Sequence, residues 1–171
     1  MTWFRRIDPV LGTAVALLVA AVAFAAVAGW SWISAPRVFG VAQHRDQALR
    51  AGEQAVLNFN TLDYRSVNAG LRLWEQSSTG PLRSQVVAGQ ASFARQIRQA
   101  KTVTTARVLD AALTGLSART ATIIVAIQIT VTPATGPPNT KQSRLEGQLT
   151  KTSSGWKLSA LTQVPVQAVR S

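Results

Sequence analysis

The sequence predicts an α+β domain carried on a single N-terminal membrane-spanning helix, and three observations lead there. Residues 10–33 form one uninterrupted apolar run, the chain after it repeats its apolar residues at helical spacing, and from about Lys101 the period shortens to two. With 171 residues the chain can build one modest core. Its 47% hydrophobic content against 15% charged residues is explained by the concentration of apolar residues at the N-terminus.

The run "VLGTAVALLVAAVAFAAVAGWSWI" carries no charge over the 24 residues Val10–Ile33. As a helix it extends about 36 Å, enough to cross a bilayer. Trp3, Trp30 and Trp32 flank it where indole rings favour the headgroup boundary, and Pro36 discourages helical continuation. "AVAG" after Arg5 and Arg6 also resembles a signal-peptide cleavage site, but the run is longer than such a segment and continues into paired tryptophans. The expected division is a cytoplasmic tail over 1–9, a transmembrane helix over 10–33, and a linker or helix continuation over 34–41. An extracytoplasmic domain over 42–166 and a tail over 167–171 complete it. The expected location is the cytoplasmic membrane, single-pass, with the N-terminus inside; flanking arginines on both sides leave the charge rule itself undecided.

Three helices are predicted next. In the first, from about Val38 to Phe59, Val41, Ala48, Leu49, Ala55, Val56 and Phe59 share a face. Asn58, Asn60 and Asp63 mark its end, because short polar side chains compete for backbone hydrogen bonds. A second short helix follows Ser66 as cap, with Val67, Leu71 and Trp74 recurring at helical spacing. The third starts at Ser78 or Thr79 before Pro81 and carries Leu82, Val86, Phe93 and Ile97 as its buried stripe. Gly70 and Gly89 inside these helices point to close approach of a neighbouring element.

About four strands complete the chain. Val103–Leu116 is the first, and "ATIIVAIQITVTP" from Ala121 is the clearest, with Ile124 and Ala126 suggesting cover on both faces at its centre. Gln142–Lys151 and Trp156–Val164 follow. "TSSGW" reads as a compact hairpin turn and Thr132–Thr140 as a longer exposed loop, so the strands form an antiparallel meander with helices on one face of a curved sheet.

The net charge is +11, of which +10 falls after Ile33. Arg65, Arg72, Arg83, Arg95, Arg98, Arg107 and Arg119 are scattered, without the aromatic interleaving of a nucleic-acid surface, so a solvated cationic face is expected, with attraction to lipid or an acidic partner as the alternative, and nucleic acid is not. Cysteine is absent and His44 is the single histidine, which removes thiolate chemistry and any zinc constellation. His44 reads as a headgroup contact or a bystander. The carboxylates have no paired spacing, and no phosphate-binding glycine motif is present. No metal, cofactor or catalytic residue is expected.

The segments "NFNTLDYRSV", "LRLWEQSSTGPLRSQ", "QIRQAKTVTTARVLDAAL", "TATIIVAIQITVTP" and "GWKLSALTQVPV" together resemble the actinobacterial Mce-associated membrane proteins, partners of the mammalian-cell-entry lipid importers. The resemblance covers about Ala42 to Val166. It implies a nuclear transport factor 2-like, cystatin-like cone, a fold shared with the periplasmic subunit of type IV secretion assemblies. It also implies a non-enzymatic accessory subunit that stabilises or assembles a lipid or sterol importer, with the bilayer and the importer subunits as partners.

Two alternatives accompany that reading: a module holding a lipid or sterol ligand in the cone, and a scaffold component of a secretion channel. Tyr64, Trp74 and Trp156 are the residues expected to line such a cone if it is hollow, although the two tryptophans are more often core anchors. The same fold also houses enzymes that set an acid or base beside a phenol, for which Asp63 and Tyr64 form the one adjacent pair. Their place between two helical periods favours a capped corner instead.

Overall fold

A computed structural model describes residues 40–164. The apolar run 10–33, the linker up to residue 39 and the terminal residues 165–171 lie outside the described residues, and so do the transmembrane and tail expectations that fall on them. Among the described residues no helix is long and apolar enough to cross a membrane. The compact unit that concerns us begins at His44.

Helix α1 occupies 40–59, followed by β1 (Leu62–Asp63), α2 (Val67–Ser77), α3 (Gly80–Ala100), β2 (Val103–Leu116), β3 (Thr120–Thr132), β4 (Asn139–Thr152) and β5 (Gly155–Gln163). The strands form one five-stranded sheet in the order β1-β2-β3-β4-β5, every neighbouring pair antiparallel. The expected α+β meander is therefore present, with one strand more than anticipated. The additional strand, β1, is two residues long and pairs Leu62 with Thr104 and Asp63 with Val103. Two residues carry no periodicity, and only the partner strand defines them.

Alternation in β3 decides which face the helices cover. Ala121, Ile123, Val125, Ile127 and Ile129 are buried, while Ile124 and Ala126 are half-buried, so only one face is packed as core. This corrects the expectation of cover on both faces. Opposite Ile124 and Ala126 the register places Glu146 and Arg144, polar partners that suit a face open to water. The sheet departs from regular pairing between Val108 and Asp110 and between Leu113 and Gly115 in β2, and again in β5, where Ser159 stands between the partners of Leu149 and Gln148. Such bulges increase local twist, and Leu109 at the first of them is exposed.

From α1, Ala48, Ala55 and Val56 enter the main core with Ile123, Ile127, Leu149, Trp156 and Leu158. Leu49 and Phe59 are partly buried beside it as the spacing predicted, whereas Val41 is exposed. The helix reaches the sheet at Gly52, where an added Cβ would overlap Ile123 Cδ1 and lie 3.0 Å from Leu149 Cδ1. On the sheet side of the same isoleucine, a Cβ at Gly147 would stand 3.2 Å from Ile123 Cγ1. Two glycines thus make room for one fully buried branched side chain.

A smaller core joins α2 to α3 through Val67, Leu71 and Ala94, with Tyr64, Trp74 and Ile97 partly buried against it. The α3 stripe differs from the expected one: Val86 and Ala94 are buried, Leu82 and Ile97 are half-buried, and Phe93 is exposed. Phe93 instead lays its ring over Gly89 on the same helix, while Gly70 admits Leu62 of β1. The joint between α2 and α3 is stitched to the sheet by the Thr79 N–H, which donates to the Leu158 carbonyl at 2.8 Å. Ser78 beside it is buried, its hydroxyl donating to the Trp74 carbonyl at 2.8 Å. Both caps act through the backbone, since neither Ser66 nor Thr79 makes a side-chain cap hydrogen bond.

Because the Gly52 position and the Ile123 δ-methyl compete for one volume, Gly52→Ala and Ile123→Val should not be additive. Ile123→Val alone is expected to cost about 1 kcal/mol. In the Gly52→Ala background the same change should cost nothing or restore stability, a coupling of about 1 kcal/mol in a double-mutant cycle. Thermal unfolding of the four full-length chains in detergent, followed by circular dichroism, measures it.

Candidate functional site

The corner from Asn58 to Val67 is rich in polar side chains, and hydrogen bonding to the chain itself occupies most of it. Asn60 Nδ2 donates back to the Val56 carbonyl at 2.8 Å, closing the end of α1. Asn58 Nδ2 donates to Ser77 Oγ at 2.7 Å, its Oδ1 accepts from Gln54 Nε2 at 2.9 Å, and its carbonyl accepts from Trp74 Nε1 at 2.7 Å. One asparagine therefore links the last turn of α1 to the far end of α2.

Among the described residues, Asp63 and Tyr64 make separate local contacts. Asp63 Oδ1 accepts the Arg65 backbone N–H at 2.8 Å, a turn made by its own side chain, and its other oxygen lies 3.7 Å from the Arg65 guanidinium. Tyr64 packs its ring on the α2–α3 core, with the Arg65 guanidinium carbon 5.2 Å from the ring centroid. Contact with Tyr64, and then the charge of Asp63, push the Arg65 pKa further up, so the group stays cationic at any accessible pH.

The three residues expected to line a cone are distributed over two clusters. Trp74 stacks on Phe59 at a centroid distance of 5.3 Å and meets the edge of Phe93 at 6.2 Å. Tyr64 shares its small core, whereas Trp156 belongs to the main core between α1 and the sheet. Trp156 is buried, and among the described residues its indole N–H has no hydrogen-bond partner. The volume between α1 and the sheet is filled by Ile123, Ile127, Leu149 and Leu158, each essentially inaccessible to solvent.

His44 is neither a bystander nor free to meet a headgroup with both nitrogens. Its Nδ1 accepts from Lys151 Nζ at 3.1 Å, which leaves the Nε2–H to donate to the Ser117 carbonyl at 3.4 Å. The ring sits edge-on to Trp156 at 5.1 Å. A side chain on α1 thus ties the tips of the β2–β3 and β4–β5 hairpins together.

What sequence reading did not assemble is a basic groove between α2 and α3. Two adjoining clefts of about 620 and 350 Å³ share Asn68, Arg72 and Arg98, and each adds a further arginine, Arg95 in the larger and Arg65 in the smaller. Arg98 donates to Asn68 Oδ1 at 2.8 Å. Among the described residues no carboxylate forms a salt bridge with Arg72, Arg95 or Arg98; the ion pairs present are Arg50–Asp46, Arg65–Asp63 and Arg83–Glu75. Arg95 and Arg98, three apart on one helix, were a legible signal. Their juxtaposition with Arg65 and Arg72 comes from helix packing. Clefts nearer the N-terminal end of α3, of about 300 and 640 Å³, are lined around the closed pair Glu75–Arg83 and carry less unpaired charge. Among the described residues no group of histidine, cysteine or carboxylate side chains could hold a metal.

The domain is thus an α+β fold with helices over one face of an antiparallel meander, and solved structures similar to it include domains of secretion systems. An IcmL-like type IV secretion system protein from Legionella pneumophila is similar with a TM-score of 0.60 and 13% identity, over 74% of this chain and 96% of that one. The periplasmic domain of DotI gives a TM-score of 0.58 with 15% identity, over 69% and 93%. CagV, a VirB8 homologue from Helicobacter pylori, gives 0.55 with 14% identity, over 69% and 96%. At such identities the likeness concerns the fold. By sequence the chain belongs to the family described as "Uncharacterized protein Rv1363c/MT1408-like", which matches residues 9–165. A comparison with curated proteins finds no match.

If the corner is structural, Asn58→Ala should lower stability by about 1–2 kcal/mol through loss of its two side-chain hydrogen bonds. Tyr64→Phe, which removes only the contact of the hydroxyl with the exposed Arg65 guanidinium, should change it by less than about 0.5 kcal/mol. Thermal denaturation of the two variants separates them; a larger loss for Tyr64→Phe would place function or strain at the phenol.

Proposed function

We propose that this chain is a non-catalytic scaffold subunit of an envelope-spanning transport complex. Residues 10–33 anchor it in the cytoplasmic membrane, and the α+β domain stands outside the cytoplasm. The observation that carries this reading is the combination of a packed interior with a fold that spans 93% of the periplasmic domain of DotI and 96% of the CagV structure. A domain with its interior filled works through its surface, and a membrane tether keeps even a weak interface occupied by raising its effective concentration. Asp63 and Tyr64, engaged in their own turn and core, supply no acid–base pair for catalysis.

Two machines fit. A secretion-channel scaffold is favoured by the fold likeness to secretion-system domains. An accessory subunit of a mammalian-cell-entry lipid importer is favoured by the resemblance of the sequence across Ala42–Val166. A lipid or sterol ligand inside the domain would have to displace Ile123, Leu149 and Leu158, so ligand carriage is the weaker role.

Purification of the tagged full-length chain from native membranes in mild detergent distinguishes them. Co-purifying channel and ATPase subunits of a secretion apparatus support the first; importer permease and substrate-binding subunits support the second. Recovery of the chain alone, at natural expression, would overturn the scaffold reading.

A further inference from the structure

We propose that the groove between α2 and α3 is the docking site for an acidic segment of a partner protein, bound by Arg72, Arg95 and Arg98. The inference rests on the scaffold reading and names the chemistry of the contact. Three exposed guanidinium groups surround one continuous depression, and none of them pairs with a carboxylate among the described residues. Like charges held side by side repel, so this arrangement is unfavourable until an anionic group enters. Its chemistry suits carboxylates: guanidinium forks bind them through two parallel hydrogen bonds, and Asn68, already accepting from Arg98, orients one of the forks.

Arg65, Asn68 and Arg98 lie at the corner end of the sheet, where Leu62 pairs with Thr104 near the start of β2. His44, the first residue of the compact unit, reaches Ser117 just past the other end of β2. Fourteen residues of strand separate the two ends, about 40 Å at the usual rise per residue. Within the compact unit the groove therefore lies about the length of β2 from His44, and on the scaffold reading the anion that enters it belongs to a neighbouring subunit.

The test uses the full-length chain in phosphatidylcholine nanodiscs and a fluorescein-labelled deca-glutamate peptide, read by anisotropy at low salt. Each exposed guanidinium–carboxylate pair contributes a factor of about 3. Arg72→Gln/Arg95→Gln/Arg98→Gln should accordingly weaken binding by about 30-fold. A control with the same loss of charge elsewhere, Arg107→Gln/Arg119→Gln/Arg144→Gln, should change it by less than about 3-fold. Equal losses in the two triple variants would mean attraction by net charge alone and would overturn the proposal. So would binding of phosphatidylglycerol vesicles that depends on the three groove arginines when the peptide does not bind. The peptide result is independent of the co-purification: loss of groove specificity with transport subunits still recovered removes only the docking site. Groove-dependent peptide binding without any transport subunit removes only the machine assigned to it.

Discussion

Close approach of α1 to the centre of the sheet, over the side chain of Ile123, is the contact on which the rest of the domain depends. Gly52 on the helix and Gly147 on the neighbouring strand leave the space that this isoleucine fills. A helix held at that depth can place Ala48, Ala55 and Val56 into the same core, where small side chains suit a short distance between layers. The depth also fixes both ends of α1. At one end His44 reaches the tips of two hairpins, and at the other Asn58 reaches the end of α2. The helix thereby spans the domain as a strut.

From that strut the positions of α2 and α3 follow. The corner after α1 turns through Asp63 and a two-residue strand, and α2 starts against Leu62, which sits in the space left by Gly70. The aromatic group of Phe59, Trp74 and Phe93 then links the three helices outside the main core. Stacked and edge-on ring pairs add to area burial, but their larger effect here is directional, because they set how α3 lies along α2. The same crossing brings arginines from two helices to one groove. Charge placement in this domain is thus a consequence of how its helices pack.

The polar corner and the basic groove illustrate opposite failures of local reading. Asn58, Asp63 and Tyr64 are adjacent in sequence and look like a site, yet each is engaged with the backbone or core that surrounds it. Arg72, Arg95 and Arg98 are dispersed in sequence and look like ordinary solvated charge, yet they converge on a single depression without acidic partners. Adjacency along the chain favours turns and caps, because short side chains reach their own backbone first. Binding surfaces are assembled from different elements, which requires tertiary contact.

The sequence by itself determined the class of the domain and nearly every element. Period two in Thr120–Thr132 and helical spacing in Val67–Ser77 are local consequences of where side chains point from a strand or a helix. Apolar residues at those spacings must be buried on one side, so helices on one face of a meander were legible before any contact was known. Only the tertiary structure decided β1, which exists because β2 offers it hydrogen bonds, and the exposure of Phe93, which lies over its own helix. It also decided the division of Tyr64, Trp74 and Trp156 between two cores and the gathering of the groove arginines. These depend on distances between residues far apart in the chain, and no local periodicity encodes such a distance.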